Sequence, residues 1–126
     1  MNREALQPDG IAKPQAPYSP VVVSGDLVAT AGQVGFDEDG ELVGDGIEEQ
    51  ARQVFDNLSR CLAAAGCGLD DVIKVTTFLR DFEDFAAYNE VYESYFSPPY
   101  PARTTVQTGL GPGLRIEVEA LARKPS

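Results

Sequence analysis

The chain has 126 residues, with ten basic and twenty acidic side chains, no histidine and a formal net charge of −10. This length predicts one domain, residues 1–126, in a size range where self-association often adds buried area. The acidic excess argues against nucleic acid as a partner, because nucleic-acid binding requires lysine and arginine to neutralise phosphates. The lack of histidine excludes catalysis by an imidazole group.

The first segment, residues 1–15, is polar and is predicted to be an N-terminal tail. It lacks the basic start and the apolar stretch of a signal peptide, so the expected location is the cytoplasm. No apolar run approaches the length that spans a bilayer, so no membrane partner is expected. Cys61 and Cys67 are therefore interpreted as reduced, partly buried apolar residues.

Residues 21–34 have the pattern of a β-hairpin, with strands at 21–23 and 27–34 around a Ser24-Gly25-Asp26 turn. A second turn signal follows at residues 37–40, before a short extended segment at 41–43. Asp37 and Asp39 resemble a fragment of a calcium loop, but the other ligands of that motif are missing. An acidic turn is therefore the preferred interpretation.

Two helices are predicted, and a strand separates them. Residues 47–65 carry apolar side chains at helical spacing, and Gly66 can end that helix. The β-branched run at 72–80 predicts a strand, after which Asp81 starts the second helix, which stops at Pro98-Pro99. This second helix has an aromatic stripe, interpreted as core packing with a pocket wall or subunit contact as the alternative. The stripe consists of Phe85, Tyr88, Tyr92 and Tyr95.

Two strands, at 100–107 and 115–120, are predicted near the end of the chain, joined by a glycine-rich turn. Alternation places Arg103, Thr105 and Gln107 on one side of the first strand. Arg115, Glu117 and Glu119 share one side of the second, and its opposite side is apolar and must face a core. That apolar side consists of Leu114, Ile116, Val118, Ala120 and Ala122. This pattern predicts an arginine near two carboxylates, which favours recognition of a carboxylate ligand.

The predicted order is strand, strand, helix, strand, helix, strand, strand. A helix separates strands that are expected to be parallel, and hairpins are expected to close both ends. The predicted fold is α+β, a two-layer sandwich in which two helices cover one face of a mixed sheet. The other face needs a cover, and self-association is the simplest way to provide it.

Five motifs, in their order along the chain, resemble the reactive intermediate deaminase family, also called RidA or YjgF. The likeness covers residues 17–123, nearly the whole chain. The motifs are Ala16-Pro17-Tyr18, Thr30-Ala31-Gly32-Gln33, Phe85-Ala86-Ala87-Tyr88-Asn89, Pro101-Ala102-Arg103-Thr104 and Arg115-Ile116-Glu117-Val118-Glu119-Ala120. A set of motifs in the right order is far more specific than any one of them.

The resemblance implies a chorismate-mutase-like fold and a homotrimer whose sheets form a central barrel, with ligand clefts between subunits. It also implies hydrolysis of short-lived enamines and imines, such as 2-aminoacrylate, to a 2-oxo acid and ammonia, without a metal or cofactor. By the same likeness, Arg103 clamps the substrate carboxylate, and Glu117 holds or activates water. Tyr18 and Asn89 fall on pocket positions of the family.

Two positions depart from the family pattern. Ala31 stands where a serine often precedes the Gly-Gln pair, and Thr105 stands where a cysteine usually follows the arginine. Thr105 can still supply a hydroxyl, and the backbone near Ala31 and Gly32 can still donate or accept hydrogen bonds. All three stay in the predicted substrate site, but the substrate preference and the subgroup are left open.

Several alternatives remain open at this level. Arg103 could pair with Glu119 across a closing hairpin, and Arg115 and Glu119 are predicted to be structural. The glycines at 109–113 lack a P-loop lysine and lead into a strand, so a turn is preferred to a phosphate site. The chain could also be a trimeric binding protein or sensor for small 2-oxo or amino acids, or an endoribonuclease, which the acidic balance disfavours.

Overall fold

The computed structural model describes residues 2–126 as one six-stranded sheet with two α-helices. The strands are β1 (Glu4–Leu6), β2 (Val21–Ser24), β3 (Leu27–Thr30), β4 (Val72–Leu79), β5 (Ala102–Gln107) and β6 (Ile116–Arg123). The helices are α1 (Ile47–Ala64) and α2 (Phe85–Tyr95). Short 3₁₀ turns at Leu69–Asp71 and Phe82–Asp84 precede β4 and α2. The predicted α+β class is confirmed.

The strand order across the sheet is β1-β2-β3-β6-β4-β5, in which only β4 and β5 are parallel neighbours. The prediction that a helix joins parallel strands is therefore confirmed for β4, α2 and β5. The prediction of a hairpin between β5 and β6 is wrong, because β4 lies between these two strands. The glycine-rich segment instead passes over the end of β4, where Arg80 donates hydrogen bonds to the carbonyls of Leu110, Gly111 and Leu114.

Other boundaries also differ from the prediction. The polar segment 1–15 contains β1, which pairs with β2 and adds an edge strand. The strand expected at 27–34 ends at Thr30, and Gln33 forms only an isolated bridge to Val118. The second helix begins at Phe85 rather than Asp81, because Asp81 caps a 3₁₀ turn by accepting a hydrogen bond from the Glu83 amide.

Helix α1 ends one residue before its predicted limit, and its end explains why. Gly66 has φ +80°, a conformation that glycine adopts without strain. Its amide donates to the Ala63 carbonyl, and the Cys67 amide donates to the Leu62 carbonyl, which closes the last turn. Cys61 and Cys67 are both buried and free, as predicted.

The core lies between the helices and one face of the sheet. The apolar face predicted for the last strand is buried there, with Ile116, Val118 and Ala122 fully shielded from solvent. In β4, Val75, Thr77 and Leu79 are also fully buried and lie opposite alternate residues of β6. This side of the sheet is called the helix face below, and the other side is called the open face.

The open face has no helix on it, and several apolar side chains on that side of the chain are exposed to solvent. Leu27, Ile73 and Val106 are each more than a third exposed.

No helix within residues 2–126 is long and apolar enough to cross a membrane. In the acidic turn, the Asp37 carboxylate accepts hydrogen bonds from the amides of Asp39 and Glu41.

A buried glutamine ties the loop before α1 to the start of β6. The Gln50 side chain donates to the carbonyls of Gly44 and Gly113 and accepts from the Arg115 amide, at 2.8–3.0 Å. Gln50 is fully buried, so removing its amide leaves these backbone groups without partners in a site closed to water.

We expect Gln50→Ala to lower the free energy of unfolding by about 2–4 kcal/mol, since it combines lost hydrogen bonds with a cavity. Urea denaturation followed by circular dichroism measures this change. Arg52→Ala, at an exposed position of the same helix, is the control and should cost under about 1 kcal/mol. Equal losses for the two variants would contradict the structural role of Gln50.

Candidate functional site

Arg103 lies on the helix face of β5, beside Val75 of the neighbouring β4. Its guanidinium carbon lies 4.7 Å from the centre of the Tyr92 ring, 5.2 Å from that of Tyr88 and 5.6 Å from that of Phe85. These three residues belong to the aromatic stripe of α2. The stripe therefore holds the arginine by cation–π contacts as well as filling the core.

Arg103 has no carboxylate partner among residues 2–126. The ion pairs in this part of the chain join Arg115 to Asp84 at 3.2 Å and Arg123 to Asp26 at 2.7 Å. The alternative pairing of Arg103 with Glu119 is wrong, because Glu119 lies opposite Thr76 on the open face. A half-buried guanidinium with no acidic partner is suited to bind an anionic ligand.

Two cavities flank the Arg103 side chain. One, of about 350 Å³, has a mixed polar and apolar lining formed by Asn89, Tyr92, Glu93, Tyr100, Pro101 and Arg103. The other, of about 480 Å³, is lined by Phe82, Phe85, Arg103 and Thr105. The phenyl rings of Phe82 and Phe85 pack edge to face with centres 6.0 Å apart. The arginine thus separates a cavity of mixed lining from a largely apolar one.

Three buried side-chain oxygen atoms within residues 2–126 lack a hydrogen-bond partner, and all three belong to residues that line these cavities. They are Asn89 Oδ1, Tyr92 Oη and Thr105 Oγ1. Buried polar atoms are nearly always paired, so their grouping around one free arginine marks a place for a ligand or for a rearrangement. Asn89 and Thr105 were predicted site residues, and the structure places both beside Arg103.

Tyr92 is a member of this group that sequence reasoning assigned to the core. It is only 5% exposed, which agrees with that assignment, yet its hydroxyl has no partner in the core. Burial raises the pKa of Tyr92 to about 12, so the hydroxyl stays protonated at neutral pH. Helical spacing predicts which face a tyrosine lies on, but not whether its oxygen finds a partner.

Glu117 lies on the open face of β6, opposite Phe78 of β4. Burial, followed by the negative charge of Glu119, raises the pKa of Glu117 above the ordinary glutamate value. Gly32 packs directly against it, and a Cβ atom at position 32 would overlap the Glu117 carboxylate. The predicted Gly32 and Glu117 are therefore in contact, and only glycine permits that approach.

Arg103 and Glu117 do not face one another within a single chain. Partner residues in neighbouring strands share a face, so Arg103 with Val75 lies on the helix face and Glu117 with Phe78 on the open face. The sequence prediction of an arginine near two carboxylates is therefore wrong for one chain. The error follows from the false hairpin, since β4 separates the two strands.

The remaining predicted residues lie on the Glu117 side or serve the fold. Tyr18 is 55% exposed and lines a cavity of about 500 Å³ together with Gly32. The Ala31 amide donates to the Pro20 carbonyl at 2.8 Å, which ties the loop after β3 to the start of β2. Arg115 donates to the Asp45 carbonyl and the Asp84 carboxylate, so its predicted structural role is confirmed.

Comparison with known proteins gives consistent likenesses. The family described as Endoribonuclease L-PSP matches residues 10–124. A RutC family protein of Pyrococcus horikoshii is 43% identical, over 97% of this chain and 98% of its own. A human protein named 2-iminobutanoate/2-iminopropanoate deaminase is 42% identical over 84% of this chain and 79% of its own. The crystal structure of RidA from an Antarctic Psychrobacter has a TM-score of 0.90 at 39% identity, covering 95% and 98% of the two chains.

Proposed function

This chain belongs to the endoribonuclease L-PSP family, also called YjgF or RidA, and we propose that it hydrolyses reactive enamines and imines to 2-oxo acids and ammonia. The substrates are of the 2-aminoacrylate type. The name of the human relative, an imine deaminase, supports this assignment. The single observation that carries it is the Arg103 guanidinium, free of acidic partners in residues 2–126 and placed between two cavities.

Arg103 binds the substrate through its carboxylate. A guanidinium can hold a carboxylate by two parallel hydrogen bonds, which fixes the orientation of the imine carbon attached to it. The rings of Phe85, Tyr88 and Tyr92 restrict the arginine, so little side-chain freedom is lost on binding. The side chain of the substrate then extends toward one of the two cavities beside Arg103.

Hydrolysis needs only water and proton transfer. The enamine takes a proton on carbon to become an iminium ion, and water adds to the C=N carbon. Glu117, as a carboxylate, accepts a proton from that water and returns it to the nitrogen of the resulting amino alcohol. Ammonia then leaves as the C=O bond forms, and the hydroxyl proton passes to the solvent, which replaces the proton first taken up on carbon. Such intermediates already react with water unaided, so positioning by Arg103 and Glu117 supplies the acceleration.

The site is shared between two copies of the chain. Because Arg103 and Glu117 lie on opposite faces of the sheet, one copy contributes the Arg103 half and its neighbour contributes the Glu117 half with Gly32 and Tyr18. The uncovered apolar side chains of the open face supply the surface for this assembly. Three copies closed in a ring, with the open faces inward, satisfy both requirements.

The test is to generate an enamine with threonine dehydratase or an amino acid oxidase and to follow formation of the 2-oxo acid with and without this protein. We expect the protein to accelerate formation of the 2-oxo acid when the enamine is generated at the same rate in both samples. Binding of a 2-oxo acid without any acceleration would overturn the deaminase proposal and leave a binding protein or sensor. Loss of RNA in the absence of any effect on enamines would point to an endoribonuclease instead.

The pH dependence of this reaction should report the Glu117 carboxyl. Because Glu117 acts in its charged form, kcat/KM should rise with pH through its raised pKa and level off above it. Glu119→Gln removes the negative charge that is the second cause of this raised pKa, so the rising limb should move to lower pH. A pH series of kcat/KM for both proteins measures the shift.

Glu4→Gln, which removes a carboxylate from the exposed edge strand β1, is the control for that series. It changes the net charge by the same amount and should leave the limb in place. An unmoved limb in Glu119→Gln would show that another group controls the reaction.

A further inference from the structure

The Arg103 side chain has more hydrogen-bond donors than its surroundings satisfy. A guanidinium carries five N–H donors and no acceptor. Within residues 2–126, the Tyr88 hydroxyl lies within hydrogen-bond reach of these donors, but it is already paired with Thr77. The guanidinium has no acidic partner there, although the side chain is half-buried. A bidentate carboxylate would use two donors and leave three, and three buried oxygens beside this arginine are also without partners.

These three oxygens belong to residues that two different elements, β5 and α2, hold next to Arg103. Thr105 follows Arg103 by two positions on β5, so the two side chains share the helix face and line one cavity. Asn89 and Tyr92 lie one turn apart on α2 and line the other cavity with Arg103. The three oxygens therefore belong to residues that line the cavities on both sides of Arg103.

Tyr88 supplies an internal contrast within the same helix. Its ring also lies under the guanidinium, but its hydroxyl is paired with Thr77 Oγ1 at 2.5 Å. Tyr92 has the same ring contact and an unpaired hydroxyl. Core packing needs the ring and gains nothing from an unpaired oxygen, so a phenylalanine at position 92 would serve the core at least as well.

We propose that Tyr92, together with Asn89 and Thr105, positions Arg103 for catalysis by accepting its three remaining N–H groups when a carboxylate occupies the other two. This assignment rests on the proposed function and deepens it. Tyr92 becomes a positioning residue, and Asn89 and Thr105 act on the arginine rather than directly on the substrate. The site would then recognise a planar carboxylate, because only a bidentate ligand satisfies the whole group.

The test measures binding of 2-oxobutanoate by calorimetry, with Tyr92→Phe and Thr105→Val as variants. Each removes one oxygen and keeps the shape of the side chain, so we expect about tenfold weaker binding for each. In deaminase assays the loss should fall mainly in KM, since the arginine holds the carboxylate before and during the reaction. Tyr95→Phe is the matched control, because the Tyr95 hydroxyl contacts Asp56 on the other side of α2, and its affinity should equal that of the parent.

Two further measurements distinguish a positioning role for Tyr92 from a purely structural one. Tyr92→Phe should melt at the same temperature as the parent or higher, since it removes a buried oxygen that has no partner. In an Arg103→Met background, Tyr92→Phe should change the residual affinity less than twofold, because methionine has no N–H group for the Tyr92 oxygen to accept. A lowered melting temperature, or an equal loss in both backgrounds, would overturn the positioning role.

The outcomes also separate this inference from the proposed function. If the parent binds 2-oxobutanoate but does not hydrolyse enamines, the deaminase proposal fails and the positioning role is still decided by the variants. If the parent does both and Tyr92→Phe binds as tightly as the parent, only the inference fails. If the parent binds no 2-oxo acid, both fail.

Discussion

Arg103→Lys is expected to lower kcat/KM for an enamine of a 2-oxo acid by about 100-fold, although it keeps the positive charge. Lysine offers a point charge in place of the planar pair of donors that holds a carboxylate in one orientation. It also loses the flat contact with the Phe85, Tyr88 and Tyr92 rings. The measurement is the dehydratase-coupled assay at varied enamine supply.

The control for this substitution is Arg123→Lys, at the exposed ion pair with Asp26, which should leave kcat/KM within about twofold of the parent. Circular dichroism should show that both variants are folded. Full activity in Arg103→Lys would mean that the carboxylate binds elsewhere. The proposed site would then be wrong.

The parts of the fold that depend on local patterns were predictable from the sequence. Helix α1 has apolar residues at helical spacing, acidic residues in its first turn and a glycine just past its end, so its limits were predicted to within one residue. The buried face of β6 followed in the same way from simple alternation. Each of these signals lies within a few residues of the structure it specifies.

The pairing of β5 could not be predicted because it is decided at long range. A glycine-rich segment between two strands has the same local pattern whether they form a hairpin or flank a third strand. The choice depends on packing of the β4, α2 and β5 unit and on Arg80, which anchors the crossing loop to carbonyls thirty or more positions away. The short β1 was missed for a similar reason, since three residues carry too little periodicity.

The site was predicted as residues but not as geometry. Arg103, Asn89 and Thr105 come together, and Gly32 contacts Glu117, yet the two sets lie on opposite faces of the sheet. The alternation of side chains along each strand was predicted correctly. The error was to pair β5 directly with β6, which put Arg103 and Glu117 on the same face of the sheet. That separation is why the proposed catalytic site needs a second copy of the chain.

Mixing two inactive variants should restore activity if each site is shared between copies. Arg103→Ala lacks the carboxylate clamp and Glu117→Gln lacks the proton acceptor, so each alone should lose at least about 100-fold in kcat/KM. When the two are unfolded together in equal amounts and refolded, some sites combine an intact Arg103 half with an intact Glu117 half. Random assembly of a ring gives such sites with a frequency of about one quarter, so about one quarter of the parental activity should return.

The same mixture separates a shared site from a site within one chain. If Arg103 and Glu117 of the same copy formed the site, every copy would carry one defect and no mixing could restore activity. Refolding each variant alone is the control for the procedure, and its activity should stay near zero. Glu117→Gln should refold at least as well as the parent at neutral pH, because the raised pKa of Glu117 means that its charged form costs stability in the folded state. Restored activity would therefore report pairing of the two half-sites across copies, with Arg103 on the helix face of one chain and Glu117 on the open face of the next.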